Sequence, residues 1–386
     1  MARETMRLSK APPADRFDAV PAASDRPGRG AVRAWLYLLA VLVVAMVAVG
    51  GATRLTGSGL SITEWRPVTG VVPPLNAADW AVEFDKYRDT PQYRILNQGI
   101  GLDGFKTLYW WEWGHRLLGR IVGLVFFLPF AWFWWRGWLG RRLLLGLLGL
   151  GLLGGLQGAI GWIMVASGLQ PGMTAVAPLK LALHLTTASL ILAGLVWLAA
   201  GTRALALAPA PEPVRRVAGL LPVLVLIQIW LGGLVAGSKA GLLYNTWPDM
   251  DGMLVPPARM LFDKVPFIEN FVDNLALVQF NHRLFAYLVV LVALAHAVQA
   301  VRMAPGAAAG RAMGVAALTL AQMGLGIVTL LLQVPLWAGL AHQVFAMAVL
   351  IMATVHARLS VGVPAASAPT GAAVPIGLEA LAGRGV

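Results

Sequence analysis

The sequence predicts an all-α integral membrane protein, with eight transmembrane helices arranged as two pseudo-symmetric four-helix bundles. Three observations predict it. The chain of 386 residues is 58% hydrophobic and only 12% charged, a balance typical of polytopic membrane proteins and rare in soluble domains. Apolar runs of membrane length recur eight times. Motifs of the first half return, in order, in the second.

Residues 1–32 are polar, with Pro, Ala, Arg and Asp and no apolar period, and are expected to form a disordered cytoplasmic tail. This tail is too long and too acidic for the start of a cleaved signal, and the first apolar run is long enough to span, so no processing is expected. Apolar runs follow at 34–53, 115–135, 143–166, 180–201, 215–236, 282–302, 310–332 and 337–357. Each is close to the roughly 20 residues that cross hydrocarbon. The first bundle is expected over 33–202 and the second over 203–361. Residues 362–386 are rich in Ala, Pro and Gly and are expected to be disordered.

There is no cysteine, which excludes disulfides, thiolate ligands and cysteine nucleophiles. The net charge of +12 does not point to nucleic acid, because most of the excess sits between apolar runs. Arg136, Arg141 and Arg142 lie in one such segment, Arg203, Arg215 and Arg216 in another, and Arg302 and Arg311 flank a third. The alternate segments are balanced or acidic. Positive-inside then places both termini in the cytoplasm of a bacterial inner membrane. The long loops 54–114 and 238–281 are expected outside.

The repeat gives the chain its organisation. Gly50-Gly51, Gly59-Leu60 and Trp65 match Gly232-Gly233, Gly241-Leu242 and Trp247 at a constant offset of 182. His115-Arg116-Leu117 matches His282-Arg283-Leu284. Gln157 and Gly161 match Gln322 and Gly326, and His184 answers to His342. Both halves run in the same sense, so an axis along the membrane normal should relate them. The glycine pairs read first as helix-packing positions.

His115, His184, His282 and His342 are expected at one depth, near the outer ends of the second helices and fourth helices of the two halves. Two facing imidazoles in a helix bundle can hold haem iron from both sides. Arg116 and Arg283, each next to a histidine, suit haem propionates. The competing reading of any one buried histidine is a hydrogen-bonded core residue. His296 and His356 each follow a first histidine by fourteen residues, nearly four helical turns. They suit either a second, stacked haem or plain hydrogen bonding near the inner interface. Glu112 stands three residues before His115, on the same helical face, and its counterpart is the neutral Gln279. It reads either as an acid–base group or as a carboxylate stabilised at a helix N-terminus.

The stretches Gly-Gly-Ala-Thr-Arg-Leu-Thr-Gly-Ser-Gly-Leu-Ser-Ile (50–62) and Tyr-Trp-Trp-Glu-Trp-Gly-His-Arg (109–116) resemble the haem A synthase family. So do Leu-Ala-Leu-His-Leu (181–185), Asn-Thr-Trp-Pro (245–248), Gln-Phe-Asn-His-Arg (279–283) and Ala-His-Gln (341–343). The resemblance implies oxidation of a ring methyl of haem O to the formyl group of haem A, for cytochrome oxidase. It implies a haem b cofactor on His282 and His342, and a substrate haem on His115 and His184, with Glu112 as the catalytic carboxylate. Some members carry a cysteine pair in the first outer loop, which this chain lacks. The partners implied are haem O, the farnesyltransferase that makes it, an electron acceptor that the sequence does not identify, and the bilayer. Association into a homo-oligomer is left open. From a different class, a multi-haem b-type electron-transfer cytochrome is the alternative, resting on His296 and His356.

Overall fold

The computed structural model describes residues 28–202 and 207–362. The two expected tails lie outside these residues, except that residues 29–32 already belong to the first helix. In chain order the helices are α1 (Arg29–Leu55), α2 (Ala77–Arg88), α3 (Pro91–Ile95), α4 (Leu102–Trp135), α5 (Arg141–Gly168) and α6 (Pro178–Gly201). The second half holds α7 (Glu212–Ser238), α8 (Ala258–Leu261), α9 (Asn270–Asp273), α10 (Leu275–Met303), α11 (Ala307–Leu331) and α12 (Leu336–Ser360). No strand occurs among the described residues.

Eight of these helices, α1, α4, α5, α6, α7, α10, α11 and α12, are long and apolar enough to cross a bilayer. Their outward faces carry Leu124, Phe127, Leu128 and Leu152, all exposed, as hydrocarbon requires of a surface. The helix starts have local causes. Pro178 occupies the first turn of α6, where its missing N–H costs nothing. Asn274 caps α10 by accepting from the Leu277 N–H at 2.8 Å.

One boundary departs from expectation. The helix predicted over 115–135 begins thirteen residues earlier, at Leu102. Asp103, Lys106 and Glu112 dilute the hydropathy of that stretch. Its helicity is held by tertiary packing instead. Phe105 and Tyr109 are buried with Tyr87 of α2, beneath Trp80, Phe84 and Tyr93. The Tyr87 and Phe105 rings stack at 5.2 Å, and burial pushes the Tyr87 hydroxyl up from its ordinary pKa. The first outer loop is thus a small helical cap on α4 rather than an unstructured connection.

The packing of the two halves is similar with one exception. In the first, α1 packs on α4 and α6, and α5 on α6. In the second, α7 packs on α10 and α12, and α11 on α12. Helices α10 and α11 also lie closely together, whereas α4 and α5 touch only sparsely. The halves meet through α6 with α7, α1 with α12, and α6 with α12. A single buried core, including Leu36, Leu39, Leu195, Val225, Ile229, Met347 and Leu350, runs through both.

Arg54 of α1 donates to the carbonyl of Ala236, the residue at its own repeat position, 182 farther on. Residues exchanged by a two-fold meet only beside its axis, so this contact fits the pseudo-symmetric arrangement. The α6–α7 contact depends on Gly233 and Gly237, spaced as in small-residue helix interfaces. A Cβ at Gly233 would stand 2.8 Å from the Ala182 Cα, and one at Gly237 2.6 Å from the Pro178 Cα. Gly233→Val should therefore wedge the halves apart and cost about 1–3 kcal/mol or more. It should lower the thermal unfolding midpoint in detergent, while Gly154→Ala, which meets open space, should leave it unchanged.

Candidate functional site

Four imidazoles line the half of the bundle that carries the two long loops, each laid against a glycine of a neighbouring helix. A Cβ at Gly50 of α1 would stand 2.8 Å from His115 Cε1, and one at Gly161 of α5 2.9 Å from His184 Cε1. In the second half the corresponding distances are 3.1 Å from Gly232 of α7 to His282 and 2.8 Å from Gly326 of α11 to His342. Any side chain there would displace the ring. Gly50 and Gly232 thus make room for imidazoles, beyond the helix packing expected of them. Gly51 and Gly233 do serve packing, against Gln343 and Ala182.

Glutamines hold the histidine-bearing helices in register. Gln157 donates to the His184 carbonyl at 3.0 Å, and Gln322 to the His342 carbonyl at 2.9 Å. Gln228 of α7 donates to the His282 carbonyl at 3.0 Å and lies 3.1 Å from His282 Nδ1. The repeat position of Gln228 in the first half is Met46, so the second half alone has this support. The sequence reading passed over Gln228, although an amide inside an apolar run is itself a signal.

The His282 and His342 rings face each other with centroids 6.5 Å apart and planes at 83°. Two metal–nitrogen bonds of about 2 Å each, with the ring radii, fill such a separation. Buried His342 Nδ1 has no protein partner. The pair fits an iron ion held from both sides. His184, His282 and His342 lie about two turns into their helices, while His115 lies nearly four turns into the lengthened α4.

His296 and His356 are placed differently. Their Nε2 atoms are 2.8 Å apart and hydrogen-bonded, with ring centroids at 5.1 Å. His296 Nδ1 pairs with Gln299 Oε1 at 3.0 Å. Both side chains are buried, and no metal–ligand bonds fit between nitrogens that close. Of the two arrangements open to the sequence, this is the hydrogen-bonded one.

Glu112 is buried ten residues inside α4, so the macrodipole of a helix N-terminus does not explain it. Its Oε2 accepts from Ser61 Oγ and from the Ile62 N–H, each at 2.8 Å. Its Oε1 accepts from Arg116 Nε at 3.1 Å and from a terminal guanidinium nitrogen at 2.6 Å. Every contact comes from a donor, as a carboxylate requires. Arg116 also donates to the carbonyls of Ile62 at 2.7 Å and Glu64 at 2.8 Å. Its donors are directed to Glu112 and to the loop that follows α1. Ser61 was not singled out by the sequence reading, though it lies within the quoted 50–62 stretch.

The second half repeats this frame with other chemistry. Arg283 donates to the carbonyls of Tyr244 at 2.9 Å, Thr246 at 3.0 Å and Asp249 at 2.8 Å. Its nearest acceptors are thus also backbone. Gln279 donates to the Tyr244 carbonyl at 3.0 Å, and Tyr244 is the repeat position of Ile62. The first loop offers a carboxylate two donors; the second offers an amide an acceptor.

Histidines gathered at one end of a pseudo-repeated eight-helix bundle, two of them with ring centroids 6.5 Å apart, define a multi-pass membrane protein. The sequence pattern of the cytochrome oxidase assembly protein family matches residues 33–354, and the chain belongs to that family. It is 91% identical over 381 residues to a protein named Heme A synthase from Methylorubrum extorquens strain PA1, covering 98% of this chain and 100% of the relative. It is 74% identical over 365 residues to one so named from Methylobacterium radiotolerans, covering 94% and 98%. A Brucella anthropi protein of the same name is 50% identical over 335 residues, covering 86% and 93%.

The Glu112–Arg116 pair makes a prediction that needs no ligand. Arg116→Met leaves a buried carboxylate without its cation and should cost about 3–5 kcal/mol. Glu112→Gln with Arg116→Met should lose clearly less than the sum of the single variants. Denaturant unfolding of the purified proteins measures this coupling.

Proposed function

We infer that this chain makes haem A from haem O for cytochrome oxidase, oxidising one ring methyl to a formyl group. The observation that carries the reading is the asymmetry between two otherwise similar imidazole sites. One has a buried carboxylate beside it and the other a neutral amide. The names of the relatives agree with it.

In this reading His282 and His342 hold a resident haem b, and His115 and His184 receive the substrate haem O. A bound haem b supplies reversible one-electron transfer. Gln228 fixes His282, and Gln279 brings no charge to that half, which suits a permanent electron carrier. In the first half, conversion of the methyl to the aldehyde consumes one water and releases four protons and four electrons. It passes through a hydroxymethyl group and a geminal diol that loses water. Glu112, about one turn outward of His115, accepts protons at the ring edge and stabilises positive charge developing there. Ser61 and the Ile62 N–H aim its Oε2, and Arg116 holds its Oε1. The electrons leave to an acceptor outside the chain. Haem O comes from a farnesyltransferase in the same membrane.

The alternative of a multi-haem electron carrier rested on His296 and His356, and their direct hydrogen bond supports the reading without a second haem there. Both termini are assigned to the cytoplasm of a bacterial inner membrane, from the arginine-rich segments. Reporter fusions within 250–257 should therefore give an external signal; a cytoplasmic one would invert the orientation.

Two experiments test the chemistry. His282→Ala or His342→Ala should remove the low-spin haem b spectrum, and His296→Ala should retain it. Glu112→Gln should fold, keep haem b and bind haem O, yet lower haem A formation by about 10²–10⁴-fold. Haem O or its hydroxymethyl form should accumulate, as read by extraction and chromatography. Near-normal haem A output would leave Glu112 only its part in anchoring the outer loop.

A further inference from the structure

Lys180 precedes His184 by four residues on α6, so it lies on the same face about one turn farther out. Its side chain lines a cavity of about 410 Å³ with Trp162, Ser167, Gln170 and Met173. Trp162 directly follows Gly161, the residue against which the His184 ring lies. The cavity therefore lies at the same ends of α5 and α6 that carry Gly161 and His184. Lys180 is half-buried, and among the described residues no acceptor or carboxylate engages it. At the matched position of the second half, four residues before His342, stands Ala338, fully buried. The cation belongs to the first half alone.

A half-buried ammonium without a partner is costly at the edge of a membrane and becomes favourable when an anion arrives. We propose that Lys180 and this cavity bind a carboxylate of the porphyrin substrate, fixing its outward edge while His184 faces its metal. The proposal rests on the reading of the first half as the substrate site. It gives that half a charge-assisted contact to replace the one that Arg116, engaged with Glu112, does not offer. The cavity lies on α5, the helix that α4 covers only sparsely. An anionic lipid headgroup presents similar chemistry, and the test separates the two.

The full-length protein, carrying its resident haem, is titrated with haem O and with haem O dimethyl ester. The unaltered protein should bind the ester roughly tenfold more weakly, the usual scale for loss of a charge-assisted hydrogen bond. Lys180→Gln should bind haem O about as weakly as the ester and lose nothing more on esterification. Lys180→Arg should restore the preference, and the haem b spectrum should not change in either variant. If Lys180→Gln distinguishes haem O from its ester as the unaltered protein does, the proposal is overturned. Equal weakening of both ligands by Lys180→Gln also overturns it, and points to a lipid or packing role. Loss of haem O binding in His184→Ala, with Lys180→Gln unaffected, removes only the Lys180 assignment. Haem O binding that survives both His115→Ala and His184→Ala removes the substrate-site reading itself.

Discussion

Each of the four outer imidazoles occupies space that a neighbouring helix leaves free by having no side chain. A Cβ at Gly50, Gly161 or Gly326 would stand under 3.0 Å from a histidine Cε1, and one at Gly232 at 3.1 Å, so each ring would have to shift. This constraint fixes the rest. It sets α1 against α4, α5 against α6, α7 against α10 and α11 against α12, and it fixes their register. For His184, His282 and His342, glutamines one turn from these contacts bond the histidine carbonyls, so backbone and ring are held by the same neighbouring helix. In hydrocarbon, where apolar contact brings little preference for one partner over another, such close approach and a few polar bonds decide the pairing.

On that shared frame, a few substitutions separate the two halves. Glu112 corresponds to Gln279, Met46 to Gln228, and Lys180 to Ala338. Each changes what surrounds the imidazoles without changing where they stand. The second half gains support for its ring and carries no charge at the Glu112 position. The first half gains a carboxylate, a cation and a looser seam between α4 and α5. Under the proposed assignment, a permanent cofactor and an exchanging substrate place opposite demands on similar sites, and these differences run in the directions those demands require.

The Glu112–Arg116 pair also joins the site to the outer loop. Arg116 ties α4 to the carbonyls of Ile62 and Glu64, and Glu112 takes the Ile62 N–H and the Ser61 hydroxyl. A single buried ion pair thus positions the carboxylate and closes the loop over the bundle. Arg283 does the second task in its own half through Tyr244, Thr246 and Asp249, without a carboxylate partner. The loop anchor is common to both halves; the buried charge is not.

The sequence by itself determined the eight spans, the repeat, the four histidines and the contrast of Glu112 with Gln279. These are written in hydropathy, spacing and residue type, which survive projection onto one dimension. It missed the outer thirteen residues of α4, because their helicity comes from burial of Phe105 and Tyr109 under α2 rather than from apolar content. The tertiary structure alone decided that His296 and His356 bond to each other, since fourteen-residue spacing fixes a shared face but not the gap between two helices. It alone directed Arg116 to Glu112 and to the Ile62 and Glu64 carbonyls, and brought Ser61 and Ile62 to the same carboxylate from some fifty residues away. Partners that distant are chosen by how helices pack and loops fold back, and no local pattern in the chain records that choice.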